Sequence, residues 1–206
     1  SVLGLVNLAK REKDIDMLQK YLLMIAKSAE QQDTFIKDIL DLSRNARLDV
    51  GQEEILFNEM FNEIFEQLKY GSENKAVTKE VEINQSHDFK SDSRRLKVIF
   101  NNLISNAIRY SNGREPHIKI RVDIDDTTAK ITIEDNGKGI PKKHLKNVFK
   151  MFYRATEDNA GSGLGLYIVK ETIDKLRGNI NLDSEPEKGT KVTIEIPNLA
   201  ETEETI

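Results

Sequence analysis

The chain has no cysteine, which excludes disulfide scaffolds, cysteine-ligated zinc and cysteine nucleophiles. Its three histidines, His87, His117 and His144, are scattered, with no His-x-x-x-His pair, so a zinc enzyme is not expected. Long apolar runs are missing: the longest, Tyr21 to Ala26, falls far short of the ~20 residues a membrane span needs. The N-terminus lacks the basic–apolar–small pattern of a secretion signal. There is no basic excess. With 31 Lys and Arg against 35 Asp and Glu, net −4, the composition argues against bulk nucleic-acid binding, and no nucleic-acid partner is expected. Internal repeats, low-complexity tracts and a Gly-x-x-x-x-Gly-Lys-Ser/Thr phosphate loop are also absent. A soluble protein of a reducing compartment remains, or a soluble piece of a larger one.

What is present suffices for a core. Apolar residues make up 38% and charged residues 32% of 206 positions, too mixed for a disordered chain. At ~150 residues per domain, the length suits one ordinary domain plus something smaller. The pattern changes near residue 50. From Ile15 to Ala46 apolar residues recur every seven, in the stripes Ile15, Leu22, Ala29, Ile36, Ser43 and Leu18, Ile25, Gln32, Ile39, Ala46. That spacing favours packing against other helices. Val2 to Ala9 has helical spacing too, and Lys10 to Asp14 reads as the turn between two helices. The hairpin is lopsided, as if the first helix had lost its beginning. The uncovered seam is expected to meet another chain.

Arg47 to Glu53 reads as a linker. Beyond it, Asn58–Tyr70 reads as a helix ended by Gly71, and Val77–Ile83 as a strand. A helix capped by Ser91-Asp92-Ser93 runs to about Tyr110, broken by Asn112-Gly113. Ile118, Ile120, Val122 and Ile124 alternate, turn at Asp125-Asp126, and alternate again at Ile131 and Ile133. A helix over Gly163–Arg177 with Gly178 as its C-cap precedes a last hairpin, Ile180–Leu182 and Val192–Ile196, stopped by Pro197. The expected fold is therefore α+β: a two-layer sandwich of a mixed, mostly antiparallel sheet with helices on one face, preceded by a partial helical hairpin. The expected division is hairpin 1–48, α+β domain 53–198 and a frayed acidic tail 199–206.

Three local features are costly unless used. Asn102 and Asn106, four apart on one helix face with Arg109 continuing the stripe, are poor helix formers at ~0.5 kcal/mol each. They read as neutral oxygen ligands suited to magnesium with a phosphate-seeking guanidinium, or as a solvated polar face. Asp135 shares strand parity with Ile131 and Ile133, so it faces inward before a Gly137–Gly139 turn. It needs a donor, from a ligand amino group or from backbone amides of that turn. Gly161-Ser162-Gly163-Leu164-Gly165-Leu166 opens into a helix, which suits an anion or is a flexible Gly-rich start. Thr190 shares parity with Val192, Ile194 and Ile196; it supports a polar ligand edge or is an ordinary turn residue.

In this order, these segments resemble the ATP-binding catalytic domain of sensor histidine kinases, in the superfamily shared with DNA gyrase, the MutL repair proteins and a heat-shock chaperone. Asn102 to Tyr110 resembles the Asn box, Asp135 to Ile140 the first glycine box, Val148 to Arg154 the phenylalanine box, and Gly161 to Leu166 the second glycine box. The resemblance implies that Asn106, assisted by Asn102, holds Mg2+. It implies that Asp135 accepts from the adenine amino group of ATP, with Gly137, Gly139, Ile140, Tyr110 and Thr190 around the base. Arg109, Gly161, Gly163 and Gly165 would contact the phosphates, with Leu164 and Leu166 of the same box counted among the ATP-site residues. Arg154 to Ser162 would form a lid whose start is anchored by Phe149 and Phe152, with Phe152 and Arg154 counted among the ATP-site residues.

Asp38 to Arg44 is similar to the end of the second helix of the dimerisation and phosphoacceptor domain, and Ser1 to Leu5 to the first helix shortly after its His box. The His-Glu-x-x-Arg-x-Pro type motif itself is absent; by family spacing it should end just before Ser1. The resemblance thus implies a fragment of a two-component kinase: a cytoplasmic phosphotransferase core binding Mg-ATP. In the intact protein the phosphoryl group passes to a histidine and then to an Asp of a response-regulator receiver domain, and a membrane is met only through upstream segments. Lacking the phosphoacceptor histidine, such a fragment is not expected to autophosphorylate. The alternatives are a pseudokinase scaffold signalling through helix pairing, and an ATPase of the same superfamily that drives dimer closure.

Overall fold

Two side-chain caps start the helical hairpin. Ser1 Oγ accepts the Gly4 amide at the head of α1 (Val2–Ala9). Asp14 Oδ1 accepts the Asp16 and Met17 amides at 2.9 and 3.0 Å and starts α2 (Ile15–Arg47), so the charged stretch between them is the turn. The structure is a computed structural model that describes residues 1–71, 77–111, 115–155 and 161–199. Half-buried Val2, Leu5, Val6 and Ala9 of α1 lie along half-buried Leu18, Tyr21 and Ile25 of α2. The other heptad stripe is bare, with Ile15, Leu22 and Ile36 at 72, 54 and 56% exposure. From Thr34 onward the half-buried positions of α2 are Thr34, Asp38, Asp41, Leu42, Ser43 and Asn45. This largely polar stripe accompanies the packing of α2 against the helix α6 described below.

The α+β part follows as β1 (Glu53–Glu54), α3 (Phe57–Gly71), β2 (Thr78–Gln85), β3 (Lys90–Ser91), α4 (Ser93–Arg109), β4 (His117–Ile124), β5 (Thr128–Asp135), α5 (Lys142–Leu145), α6 (Gly165–Lys175), β6 (Asn179–Glu185) and β7 (Gly189–Pro197). Five strands form one sheet in the order β2-β4-β5-β7-β6; β2 runs parallel to β4 and the other neighbours are antiparallel. The pair β1 and β3, two residues each, and the four-residue α5 are additions to the sequence-based expectation. They are too short for any periodicity to announce them. The break at Asn112-Gly113 and most of the acidic tail lie outside the described residues; α4 already ends at its C-cap Tyr110.

Strand alternation builds the core. Ile120, Ile133, Val192 and Leu182 form one row across four strands, and Val122, Ile131, Ile194 and Ile180 the next. They are covered by one layer of helices, including fully buried Leu96, Ile99, Phe100 and Ile104 of α4 and Phe57, Phe61 and Ile64 of α3. The other face of the sheet is charged, with pairs such as Lys191–Glu134 at 2.8 Å. One cap differs from expectation. The left-handed residue after α6 is Arg177 (φ 57°), not Gly178. The amides of Arg177 and Gly178 bond the Asp174 and Ile173 carbonyls at 3.0 and 2.9 Å, a Schellman arrangement. Gly178 is required for a different reason: a Cβ there would sit 2.5 Å from the Glu195 carbonyl oxygen.

Candidate functional site

The next row across the sheet changes chemistry. Ile118, Asp135, Thr190 and Ser184 are register partners in sequence, so polar residues replace the aliphatic core where β5, β7 and β6 meet. Asp135 Oδ1 accepts the Gly137 amide at 2.8 Å and the Thr190 amide at 3.2 Å; Oδ2 takes no donor among the described residues. Burial pushes the Asp135 carboxyl up, and the two amides pull it partly back. Both options for this carboxylate therefore meet here: one oxygen is satisfied by backbone, the other is left for something else. Ser184 Oγ lies 2.9 Å from Thr190 Oγ1, donates to the Gly189 carbonyl and accepts the Ile140 amide, both at 2.8 Å. Sequence reasoning missed Ser184, although its parity with Ile180 and Leu182 pointed inward.

Two glycine segments close on this row and on α4. The Lys138 amide donates to the Tyr110 carbonyl at 2.9 Å and the Lys138 carbonyl accepts the Glu187 amide at 2.8 Å, clamping the turn between α4 and the β6–β7 hairpin. At Gly139, φ is +64° and a Cβ would lie 1.9 Å from the Glu185 carbonyl oxygen, so only glycine fits. The Lys138 ammonium stands 5.1 Å over the Tyr110 ring. At the other segment, a Cβ on Gly165 would lie 2.8 Å from Asn102 Oδ1, so the start of α6 rests against α4. Leu164 supplies no side-chain cap there, and the first-turn amides of α6 keep their anion-seeking character. Asn102 Nδ2 donates to the Val98 carbonyl at 2.9 Å, which fixes the carboxamide and presents its oxygen to the Gly165 side. A neutral hard oxygen in that place fits magnesium.

A cavity of about 420 Å³ joins these parts, within the range of small-molecule sites. It is lined by Asn102, Asn106, Arg109, Tyr110, Asp135, Gly139, Ile140, Arg154, Gly161, Gly163, Gly165, Leu166 and Thr190, thirteen of the sixteen site residues expected from sequence. Three do not line it. Phe152 is 54% exposed with φ 62°, and its neighbour Tyr153 lines the cavity instead. The Leu164 side chain is wholly buried. Gly137 is packed where a Cβ would be 2.7 Å from the Tyr110 carbonyl oxygen. Of the expected lid, residues 156–160 lie outside the described residues.

Helix α2 also reaches the cavity, through Thr34, Lys37, Asp38 and Asp41, a contribution the heptad reading did not contain. Ser162 Oγ donates to Asp38 Oδ2 and accepts the Leu164 amide at 3.1 Å. None of the three histidines is on α1 or α2. His87 is in an exposed loop, and His117 opens β4 with Nε2 3.2 Å from Glu80. His144 is half-buried in α5 with Nδ1 2.6 Å from the Tyr153 hydroxyl.

Residues 91–200 match the family described as histidine kinase-, DNA gyrase B-, and HSP90-like ATPase. Among similar proteins, the sensor histidine kinase YxdK of Bacillus subtilis (strain 168) is 25% identical over 198 residues, covering 92% of this chain and 59% of that protein. The sensor protein kinase WalK of Staphylococcus haemolyticus is 29% identical over 194 residues, covering 90% of this chain and 31% of that protein. The chain thus spans less than two thirds of these relatives' lengths. Among solved structures, histidine kinase ThkA in complex with response regulator protein TrrA superposes with a TM-score of 0.75 at 24% identity, over 98% of this chain and 57% of that one.

Proposed function

The chain belongs to the histidine kinase-, DNA gyrase B-, and HSP90-like ATPase family, carrying the ATP-binding domain of the sensor histidine kinases, and on that premise we propose that it binds Mg-ATP for phosphoryl transfer to a histidine. The observation that carries this reading is the two-ended cavity. One end has the free oxygen of Asp135 beside Thr190 and Ser184, suited to an amino-bearing purine edge. The other has Arg109 and the glycine-rich opening of α6, suited to phosphates. We assign Asp135 to the adenine amino group, Arg109 and the amides of 161–166 to the phosphates, and the oxygens of Asn106 and Asn102 to magnesium. Bound magnesium supplies charge neutralisation on the phosphates.

Phosphoryl transfer asks a protein for positioning and charge stabilisation rather than covalent work. The bond from the γ-phosphorus to its bridging oxygen breaks, and ADP keeps the electron pair. A phosphorus–nitrogen bond forms on an imidazole, which gives its proton to a nearby base. We assign the acceptor imidazole to a phosphoacceptor-type helical hairpin, paired as a homodimer through the bare seam of α2, and the next acceptor to an Asp of a response-regulator receiver domain. Residues 1–48 and 53–198 would be the hairpin and catalytic units, working in the cytoplasm. Among the described residues no helix is long and apolar enough to cross a membrane.

A calorimetric titration with ATP, with and without magnesium, tests the reading. The expected result is magnesium-assisted binding with Kd between about 1 μM and 1 mM, or ~−8 to −4 kcal/mol, and a clear loss in Asp135→Asn, which turns an acceptor oxygen into a donor. A folded chain that binds no ATP would refute the assignment.

A further inference from the structure

We propose that Asp38 of α2 is a specificity-determining residue of the nucleotide site, one that selects against the terminal phosphate of ATP while α2 is docked. The proposal rests on the nucleotide reading above. Its starting point is the polar stripe of α2. Thr34, Asp38, Asp41 and Asn45 follow one another at helical spacing and are all half-buried, and the first three line the cavity. A heptad seam would place apolar residues on a covered face; this face is polar because it covers a polar site.

Asp38 sits among the groups assigned to phosphate. It takes the hydroxyl hydrogen of Ser162, whose Oγ in turn accepts the Leu164 amide at the opening of α6. The Arg109 guanidinium acts on the same carboxylate, although burial outweighs both and pushes the carboxyl up. A negative charge from α2 therefore already uses the Ser162 hydroxyl and the field of Arg109 and the helix start.

The distance between the two ends of the site decides which phosphate is affected. Along α4, Tyr110 abuts the Gly137–Gly139 turn and Asn102 abuts Gly165. The eight-residue step from Asn102 to Tyr110 spans about 12 Å at the helical rise. With the base assigned to the Asp135 end and the phosphates to the glycine segment 161–166, Asp38, bonded to Ser162 of that segment, stands on the phosphate side, and its repulsion of like charge is assigned mainly to the last phosphate. Docked α2 then tolerates a nucleoside diphosphate better than a triphosphate, and the triphosphate must displace Asp38 to bind fully.

The test is the affinity of the intact chain for ATP, ADP and adenosine, with saturating magnesium at pH 8, for the parent chain and for Asp38→Asn. That substitution keeps size and an acceptor oxygen but removes the charge. Expected are ATP binding tightened about 10-fold, the size of a modest coupling between sites, ADP tightened less than about 3-fold, and adenosine unchanged. An ATP-to-ADP affinity ratio unchanged by Asp38→Asn would overturn the proposal. So would weaker ATP binding in the variant, which would mean that the carboxylate helps to hold the cation of Mg-ATP. Failure of both proteins to bind any of the three would overturn the nucleotide reading itself, and is thereby distinguishable from failure of the role given to Asp38.

Discussion

Replacing Arg95 by methionine removes the junction between the hairpin and the α+β part while keeping much of the apolar stem. The residue is 4% exposed. Its Nε donates to Asn45 Oδ1 at 2.9 Å. Its Nη1 donates to the Asp49 carbonyl at 2.9 Å and to Asp92 Oδ2, and its Nη2 to the Asn45 and Leu48 carbonyls at 3.1 and 2.6 Å. One guanidinium thus collects the C-terminal carbonyls of α2 and ties them to the residue that caps α4. After the substitution Asp92 stays buried and keeps only amides, those of Gly51 at 2.8 Å and residue 95 at 2.9 Å. Breaking a buried ion pair from one side costs about 3–5 kcal/mol. For a chain of this size each kcal/mol moves Tm by about 2–4 °C, so a fall of roughly 6–20 °C is expected. Thermal unfolding followed by circular dichroism reads the shift. Adding Asp92→Asn to Arg95→Met should recover part of it, because the uncompensated charge is then gone. A loss below about 1 kcal/mol, or no recovery in the double variant, would refute the reasoning that this pair is a buried, coupled junction.

Two other outcomes follow from local geometry. Gly139→Ala combines a left-handed backbone with a Cβ 1.9 Å from the Glu185 carbonyl oxygen; a loss of about 2–5 kcal/mol and of ATP binding is expected in urea unfolding and titration, and a wild-type midpoint would contradict it. Asp92 gives the acid response. Burial alone would raise its carboxyl, but the Gly51 and Arg95 amides and the Arg95 guanidinium outweigh burial and hold it below the usual range. Its folded pKa is therefore below the unfolded value near ~3.9. Its contribution is fully present above that value and is lost as pH falls through the depressed one. The urea-midpoint gap between the parent chain and Asp92→Asn should then be constant from pH 7 to about 5 and close on acidification; a gap that widens in acid would contradict the sign.

Long periodic segments were legible because burial repeats along them. The parity of Ile131, Ile133 and Asp135, and of Thr190 with Val192, Ile194 and Ile196, put both polar residues on the inner face. The structure makes them register partners, Asp135↔Thr190. That β5 neighbours β7 was not legible, since alternation says which way a side chain points and nothing about which strand lies beside it. Phe152 shows a second limit: one residue in the left-handed region turns the following side chain, Tyr153, to the cavity, and no sequence period carries that information.

The largest omission concerns α2, and its cause is that one helix serves two surfaces. A heptad reading assigns every polar residue outside the apolar stripes to solvent. Thr34, Asp38, Asp41 and Asn45 are such residues, yet they are half-buried because the surface they meet consists of Ser162, Arg95 and the rim of the cavity, rather than another apolar seam. Apolar periodicity detects only burial driven by water exclusion. Burial driven by hydrogen bonds to a polar partner leaves a stripe that looks solvated until the partner is in place. Seven residues separate the Asp38 contact from the Asn45 contact, about 10 Å along the helix. The Arg95 junction thus holds the C-terminal end of α2, and the Asp38–Ser162 contact meets the site about two turns before it.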